Sequence, residues 1–223
     1  MPVHAFAGAD QSELLRDGWA LVRAHADNEN ELSSLVVAVA QSLGRCLQNK
    51  RGSLVAEIAP RKATQGNPAS LSGKYGYGVF PLHSDTAHWT VPCRFVVIGC
   101  RRPGASPVPT LLLDTADLGL SAGEQALASS ALFFVRNGRR SFYSSILSPR
   151  RYFARCDPGC MEPVDDKGIA ALNLYSIERH RVRVISVLLR TGEILILDNW
   201  RILHGRAAVG LDTDRLLLRC IVQ

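Results

Sequence analysis

Apolar residues recur with two different periods along this chain, and the alternation between them predicts a mixed architecture. Leu32, Leu35, Val36, Val39, Ala40 and Leu43 return every three to four residues. That spacing predicts a long helix over Asn28 to Cys46 with one apolar face to lay on a sheet. Asp10 to Asp17 predicts a short amphipathic helix capped by Asp10 and broken at Gly18. Ser121, with Glu124 three residues on, forms a capping-box pattern for a helix over Ser121 to Ser129, and Asp165 to His180 predicts another. Between these segments the pattern shortens to runs of strand length. Trp19 to Arg23, Leu54 to Ile58, Arg94 to Cys100, Thr110 to Leu113, Leu132 to Arg136, Phe142 to Leu147, Gly192 to Leu197 and Leu216 to Val222 all read as strands. Asn137-Gly138 separates two of them and is a strong hairpin signal. Many short strands framed by a few helices predict an α+β, mostly β fold. Its core would be a double-stranded β-helix (jelly roll) with flanking helices, built as one domain over residues 1–223.

One stretch breaks both periods. From Arg61 to Gly78 the chain turns to Gly, Ser, Asn, Pro and Tyr and leads into Phe80-Pro81-Leu82-His83-Ser84-Asp85. A long loop inside a compact domain is usually functional, so residues 61–80 read as an active-site lid. Tyr75 and Tyr77 alternate with glycines there and could reach over a pocket to contact a substrate.

Composition narrows the partners. The net charge is +6 at pH 7, but Lys and Arg are scattered and aromatic residues make up only 7%. No basic, aromatic strip stands out, which argues against nucleic acid and for a basic pocket that takes a small acidic molecule. The start of the sequence does not read as a secretory signal, and no apolar run reaches spanning length. The expectation is therefore a soluble, cytoplasmic protein with no membrane partner; a homo-oligomer stays open. Six widely spaced cysteines lack a Cys-x-x-Cys pair and read as reduced structural thiols.

The candidate chemistry begins at His83 and Asp85. Two residues apart on an extended segment, an imidazole and a carboxylate project to the same face and can hold one metal ion. His204, in Asp198-Asn199-Trp200-Arg201-Ile202-Leu203-His204-Gly205-Arg206, could complete a two-His, one-carboxylate face of the kind that leaves open positions on non-haem Fe(II). A rival pattern, His25-Ala26-Asp27, precedes the long helix, where Asp27 or Asn28 reads better as its N-cap. Arg215 and Arg219 lie four apart on one predicted strand, so both guanidiniums face one side while Leu216 and Leu218 take the other. Two inward arginines call for bound anions, since a buried unpaired charge is strongly disfavoured. His88 and Trp89 follow the metal motif toward the pocket mouth. Arg206 suits either a substrate or backbone carbonyls.

On these residues the sequence resembles the taurine dioxygenase (TauD/TfdA-like) family of Fe(II)/2-oxoglutarate-dependent dioxygenases, which includes γ-butyrobetaine-type hydroxylases. The resemblance runs from about Ser70 to the end of the chain. It implies that His83, Asp85 and His204 bind Fe(II) and that Thr110 and Arg215 hold the distal carboxylate of 2-oxoglutarate. Arg219 would then lie near the substrate or share that carboxylate; Tyr75, Tyr77, His88 and Arg206 are the further candidate substrate contacts read from the residues themselves. The implied reaction uses O2 to oxidise a C–H bond, most simply by hydroxylation, and releases succinate and CO2. The implied substrate is a small polar molecule such as an amino acid or a derivative. Two alternatives remain at this stage: a jelly-roll metal enzyme that does not use 2-oxoglutarate, and a non-catalytic small-molecule-binding relative.

Overall fold

A computed structural model describes residues 8–23, 29–49, 51–66, 68, 70–148, 153–176, 179–180, 183–209 and 214–223. In chain order its elements are α1 (Gly8–Asp17), β1 (Trp19–Arg23), α2 (Glu29–Leu43), β2 (Cys46–Leu47), β3 (Ala56–Ile58), a 3₁₀ turn (Ala63–Gln65), α3 (Leu71–Tyr75), β4 (Phe80–His83), β5 (Phe95–Arg102) and β6 (Thr110–Asp114). There follow α4 (Ala122–Ser130), β7 (Phe133–Val135), β8 (Phe142–Ser144), β9 (Met161–Pro163), α5 (Asp166–Asn173), β10 (Ile185–Val187), β11 (Glu193–Asp198), β12 (Ile202–Arg206) and β13 (Leu216–Val222).

Strand alternation sorts the apolar residues into layers. The major sheet runs β1-β11-β5-β13-β2, with β3 also paired to β13, and the minor sheet runs β10-β6-β12-β4. Neighbouring strands are antiparallel throughout. On central β5, Val96, Ile98 and Cys100 point between the two sheets, where Leu195, Leu197 and Leu217 meet Leu112, Val187 and Ile202 of the minor sheet. The alternate residue Val97 points the other way and packs with Ile194, Ile196, Leu218 and Cys220 on Leu32, Val36, Val39 and Ala40 of α2. Each such Leu or Val contributes about 1.5–3 kcal/mol through burial. Gly99 lets the helix sit this close, because a Cβ there would fall 2.5 Å from Val36 Cγ2. The far face of the minor sheet is covered by α4, α5 and a third sheet, β8-β7-β9, around Leu113, Phe133, Ile146 and Leu203. This mostly β arrangement, with few helices on its flanks, is a jelly-roll core.

Most predicted elements are found, with shifts that have local causes. Helix α1 begins at Gly8, so Asp10 sits in its first turn rather than capping it. Helix α2 ends at Leu43, because Gly44 adopts φ 154° and Cys46 is drawn into pairing with Val222. Ser121 and Asp165 cap α4 and α5 through the backbone amides of Glu124 and Gly168. Helix α5 stops at Asn173, well before His180. The Asn137-Gly138 hairpin joins β7 and β8, with Phe133 opposite Ser144. The 61–78 stretch carries a 3₁₀ turn and α3, which are too short to show a period. His204 lies on strand β12, and Asp85 lies in the turn after β4 rather than on the extended segment itself. His25 and Asp27 lie outside the described residues.

Candidate metal centre

Strands β4 and β12 are paired so that His83 and His204 are direct partners. Their rings stand 4.4 Å apart, centroid to centroid. The register shifts between His204 and Arg206, and Gly205 permits it, since a Cβ there would fall 2.7 Å from the Phe80 carbonyl oxygen. The His83 ring places Nδ1 3.0 Å from the Pro81 carbonyl. A proton on Nδ1 makes that bond and leaves the Nε2 lone pair available for a metal. Asp85 completes the set: Oδ1 is 4.0 Å from His83 Nε2, and Oδ2 is 4.0 Å from His204 Nε2. The three side chains are buried and offer ligand atoms that all lie within 4.8 Å of one another. Two imidazoles and one carboxylate converging from one side form a donor set that suits non-haem Fe(II).

The Asp85 carboxylate reaches this position from a turn that is held on both sides. Ser84 donates its amide to the Cys156 carbonyl at 2.7 Å, and the Cys156 amide donates to Ser84 Oγ at 3.1 Å. From the other side, buried Asn199 accepts the Asp85 amide at 2.7 Å and donates to the Asp85 and Cys93 carbonyls at 3.1 and 2.8 Å. Thr86 has φ 55°, a left-handed backbone that a β-branched residue adopts only when its surroundings impose it. Its Oγ1 accepts the Cys93 amide at 2.7 Å.

The electrostatics favour metal-ready protonation states. Burial, followed by the neighbouring His83, pushes His204 down to about 3, so the imidazole is neutral at physiological pH. Burial alone would raise the Asp85 carboxyl, but the nearby Arg219 guanidinium, with His204 and His83, holds it below the usual carboxylate range. Arg219 Nη1 donates to both Asp85 oxygens, at 2.8 and 2.9 Å.

The triad lines a cavity of about 880 Å³ together with Thr110, Arg215 and Arg219. Arg215 and Arg219 thus share a side, while Leu218 packs toward α2. Arg215 is buried and donates to the Val108 carbonyl and, at 3.4 Å, to Thr110 Oγ1. Ile58 of β3, Ile98 of β5 and Leu217 of β13 also line the cavity, and further wall comes from Arg61 and Ser72 of the 61–80 segment, Asn137 of the hairpin and Asp157 of the turn before β9. His88 and Arg206 also line it. Arg206 stacks over Phe80 at 4.4 Å and donates to the Gly76 and Gly78 carbonyls, each at 3.0 Å, which ties the lid segment to β12. Burial, then Arg215, lowers its guanidinium to about 10.

Tyr75 and Tyr77 are placed differently from the expectation that they face the pocket, for neither is among the residues lining the cavity. The Tyr75 ring lies 6.2 Å from that of Phe80, and the Tyr77 carbonyl accepts the Val209 amide at 3.0 Å. Sequence reasoning missed Asn199, Ser84 and Arg155, all buried around the Asp85 turn. Asn199 and Ser84 stood inside the His204 and His83 motifs, but Arg155 carried no signal of its own. All six cysteines are free thiols. Burial pushes Cys93 and Cys156, which flank this turn, up to about 12, with Asp85 and Asp157 respectively adding to the effect. Among the described residues no helix is long and apolar enough to cross a membrane.

The family model for the taurine catabolism dioxygenase TauD, TfdA family matches residues 123–221, a span that includes His204, Arg215 and Arg219. No curated protein matches the chain. Among solved structures, the fold resembles that of asparagine oxygenase in complex with Fe(II), 2S,3S-3-hydroxyasparagine and succinate. The two are 19% identical with a TM-score of 0.76, over 96% of this chain and 78% of that one. The non-heme iron oxygenase OrfP in complex with Fe and alpha-ketoglutaric acid superposes with a TM-score of 0.78 at 19% identity, over 100% of this chain and 81% of that one. The same OrfP in complex with Fe, succinate and (3S)-hydroxy-L-Arg gives 0.74 at 18% identity, over 96% and 79%. At these identities the likeness is one of fold.

Proposed function

We propose that this chain, a TauD/TfdA-like protein, is an Fe(II)- and 2-oxoglutarate-dependent dioxygenase that hydroxylates a C–H bond of a small carboxylate-bearing molecule. An amino acid or its derivative is the substrate class, and succinate and CO2 are the co-products. The observation that carries the reading is the convergence of His83, Asp85 and His204 on a cavity that also holds buried Arg215 beside Thr110. Supporting it are the family match over residues 123–221 and structural neighbours whose complexes contain iron, 2-oxoglutarate or succinate, and hydroxylated amino acids.

Each residue has a role that follows from its placement. His83 and His204 would ligate Fe(II) as neutral imidazoles, and Asp85 would add the carboxylate. When bound, Fe(II) supplies the activation of O2 that accompanies decarboxylation of 2-oxoglutarate. Arg215 and the Thr110 hydroxyl would receive the distal carboxylate through charge-assisted hydrogen bonds. Arg219 would orient both Asp85 and the carboxylate of the substrate. His88 would bound the substrate at the mouth. Arg206 would anchor residues 61–80 as a lid that excludes water, and Tyr75 and Tyr77 would reach the substrate only through movement of that lid. We read the whole chain as one catalytic domain of this kind.

The test is succinate formation by Fe(II)-loaded protein given 2-oxoglutarate, O2 and a panel of amino acids, with His83→Ala and Arg215→Ala alongside. Stimulation by a panel member, lost in His83→Ala and restored in Arg215→Ala only at much higher 2-oxoglutarate, is the expected result. Tight iron binding without succinate under any condition would favour a metal enzyme that does not use 2-oxoglutarate.

A further inference from the structure

The turn that follows Asp85 is gripped by a second buried residue besides Asn199. Arg155 is only 1% exposed. Its Nη1 donates to the Ala87 carbonyl and, at 2.5 Å, to the Trp89 carbonyl; its Nη2 donates to the Thr90 carbonyl at 2.8 Å. The guanidinium also lies over the rings of Phe142 and Phe153, at 5.1 and 5.4 Å. Among the described residues it forms no ion pair with a carboxylate. Burial lowers its pKa to about 10, so it still carries its charge at neutral pH.

Burying a guanidinium against carbonyls and rings is costly, and a neutral donor could satisfy any one of these acceptors more cheaply. What the arginine adds is reach: one rigid, planar fork joins three carbonyls of a single turn with charge-assisted bonds. That turn has backbone to be restrained, since Thr86 sits at φ 55°, and it presents two cavity-lining side chains, Thr86 and His88. The two clamps divide the segment between them. Asn199 fixes Asp85 itself, and Arg155 fixes residues 87–90.

We propose that Arg155 is a positioning residue for the hydroxylation: through the carbonyls of Ala87, Trp89 and Thr90 it sets where Thr86 and His88 meet the substrate, touching neither substrate nor metal. The proposal rests on the dioxygenase reading above, and its test separates the two. Arg155→Lys keeps the charge but not the fork, and Phe142→Leu removes a ring beneath the guanidinium at a half-buried site, leaving every bond to the turn. Both are compared with the Fe(II)-loaded wild-type protein.

With metal alone, Arg155→Lys is expected to speed amide hydrogen exchange across residues 86–92 about tenfold, while exchange in β5 stays unchanged. Fe(II) affinity, read by chelator competition, stays within about threefold, because Asn199 still holds Asp85. With the panel amino acid that best stimulates succinate formation, KM for that amino acid rises about tenfold and the ratio of hydroxylated product to succinate falls, while KM for 2-oxoglutarate is unchanged. Phe142→Leu shifts the same readouts in the same direction by less.

Unchanged exchange in residues 86–92 overturns the proposal. So does a loss of Fe(II) affinity in step with faster exchange in β5, which would make Arg155 a general structural residue. If Arg155→Lys does not fold, Phe142→Leu decides by the same criteria. A wild-type protein that forms no succinate would sink the dioxygenase reading instead, and the exchange and metal readouts would still decide whether Arg155 holds the turn.

Discussion

The metal side of the cavity and another part of its lining are built from different material. His83 and His204 project from paired strands of the minor sheet, and Thr110 opens a strand of the same sheet. Their positions are set by backbone ladders and by a core that includes Leu112, Ile202 and Leu203. Elsewhere in the lining, the 61–80 segment, the 137–138 hairpin and the 157–160 turn contribute residues from segments held by a few bonds. The Arg206 bonds to Gly76 and Gly78 and the Lys74 bond to the Pro158 carbonyl, at 3.0 Å, are among them. The lesson is that a shared chemistry can stand on a rigid frame while selectivity is left to segments that tolerate change. Asp85 belongs to both sides: its carboxylate joins the histidines, but its backbone starts a loop.

The sharpest way to break this contrast is to remove a ligand. His204→Ala or Asp85→Ala should lower kcat on the order of 10³-fold or more and abolish tight Fe(II) binding, as measured by succinate release and metal titration. The fold should survive in circular dichroism, because the strands do not depend on the imidazole. Next in size is Arg215→Ala, where loss of a charge-assisted bond worth about 1.5–3 kcal/mol should raise KM for 2-oxoglutarate about 10- to 100-fold. A steady-state titration would show it, and an unchanged KM would move the co-substrate elsewhere. Asn199→Ala tests the hinge between the two sides. It leaves the Asp85 amide without its acceptor and should weaken Fe(II) binding about tenfold by chelator competition. The smallest effect belongs to Tyr75→Phe. With the ring packed on Phe80 rather than lining the cavity, kcat/KM should change by less than about twofold. A larger loss in that assay would bring the lid down onto the substrate during turnover.

How far the sequence could be read follows the same division. Helix α2 and strand β5 were legible because their apolar residues keep a period over many positions, and Ser121 with Glu124 announced a helix start through local chemistry. The candidate ligand residues stood out because few residue types bind iron and their spacing is restrictive. Asp85 meets the two histidines through a geometry other than the one expected. The expected strand alternation ends at His83, and the carboxylate arrives by way of a turn fixed by Asn199 and Ser84. Strand β12 was hidden because its Gly-containing, charged sequence has no alternation of its own; its pairing with β4 and β6 makes it a strand. Arg155 was unreadable for a related reason. Only the fold reveals that one of several nearby arginines turns inward against three carbonyls.

The buried thiols have a consequence for a protein that would handle O2 beside iron. Oxidative damage to cysteine begins from the thiolate, and it needs access. Cys93 and Cys156, against the ligand turn, are sealed in and held protonated far above neutral pH, as is Cys220 in the helix-facing layer. The packing that steadies the Asp85 turn therefore also keeps Cys93 and Cys156 out of the cavity wall, and Cys160, the thiol that does line it, is likewise pushed toward its protonated form by burial.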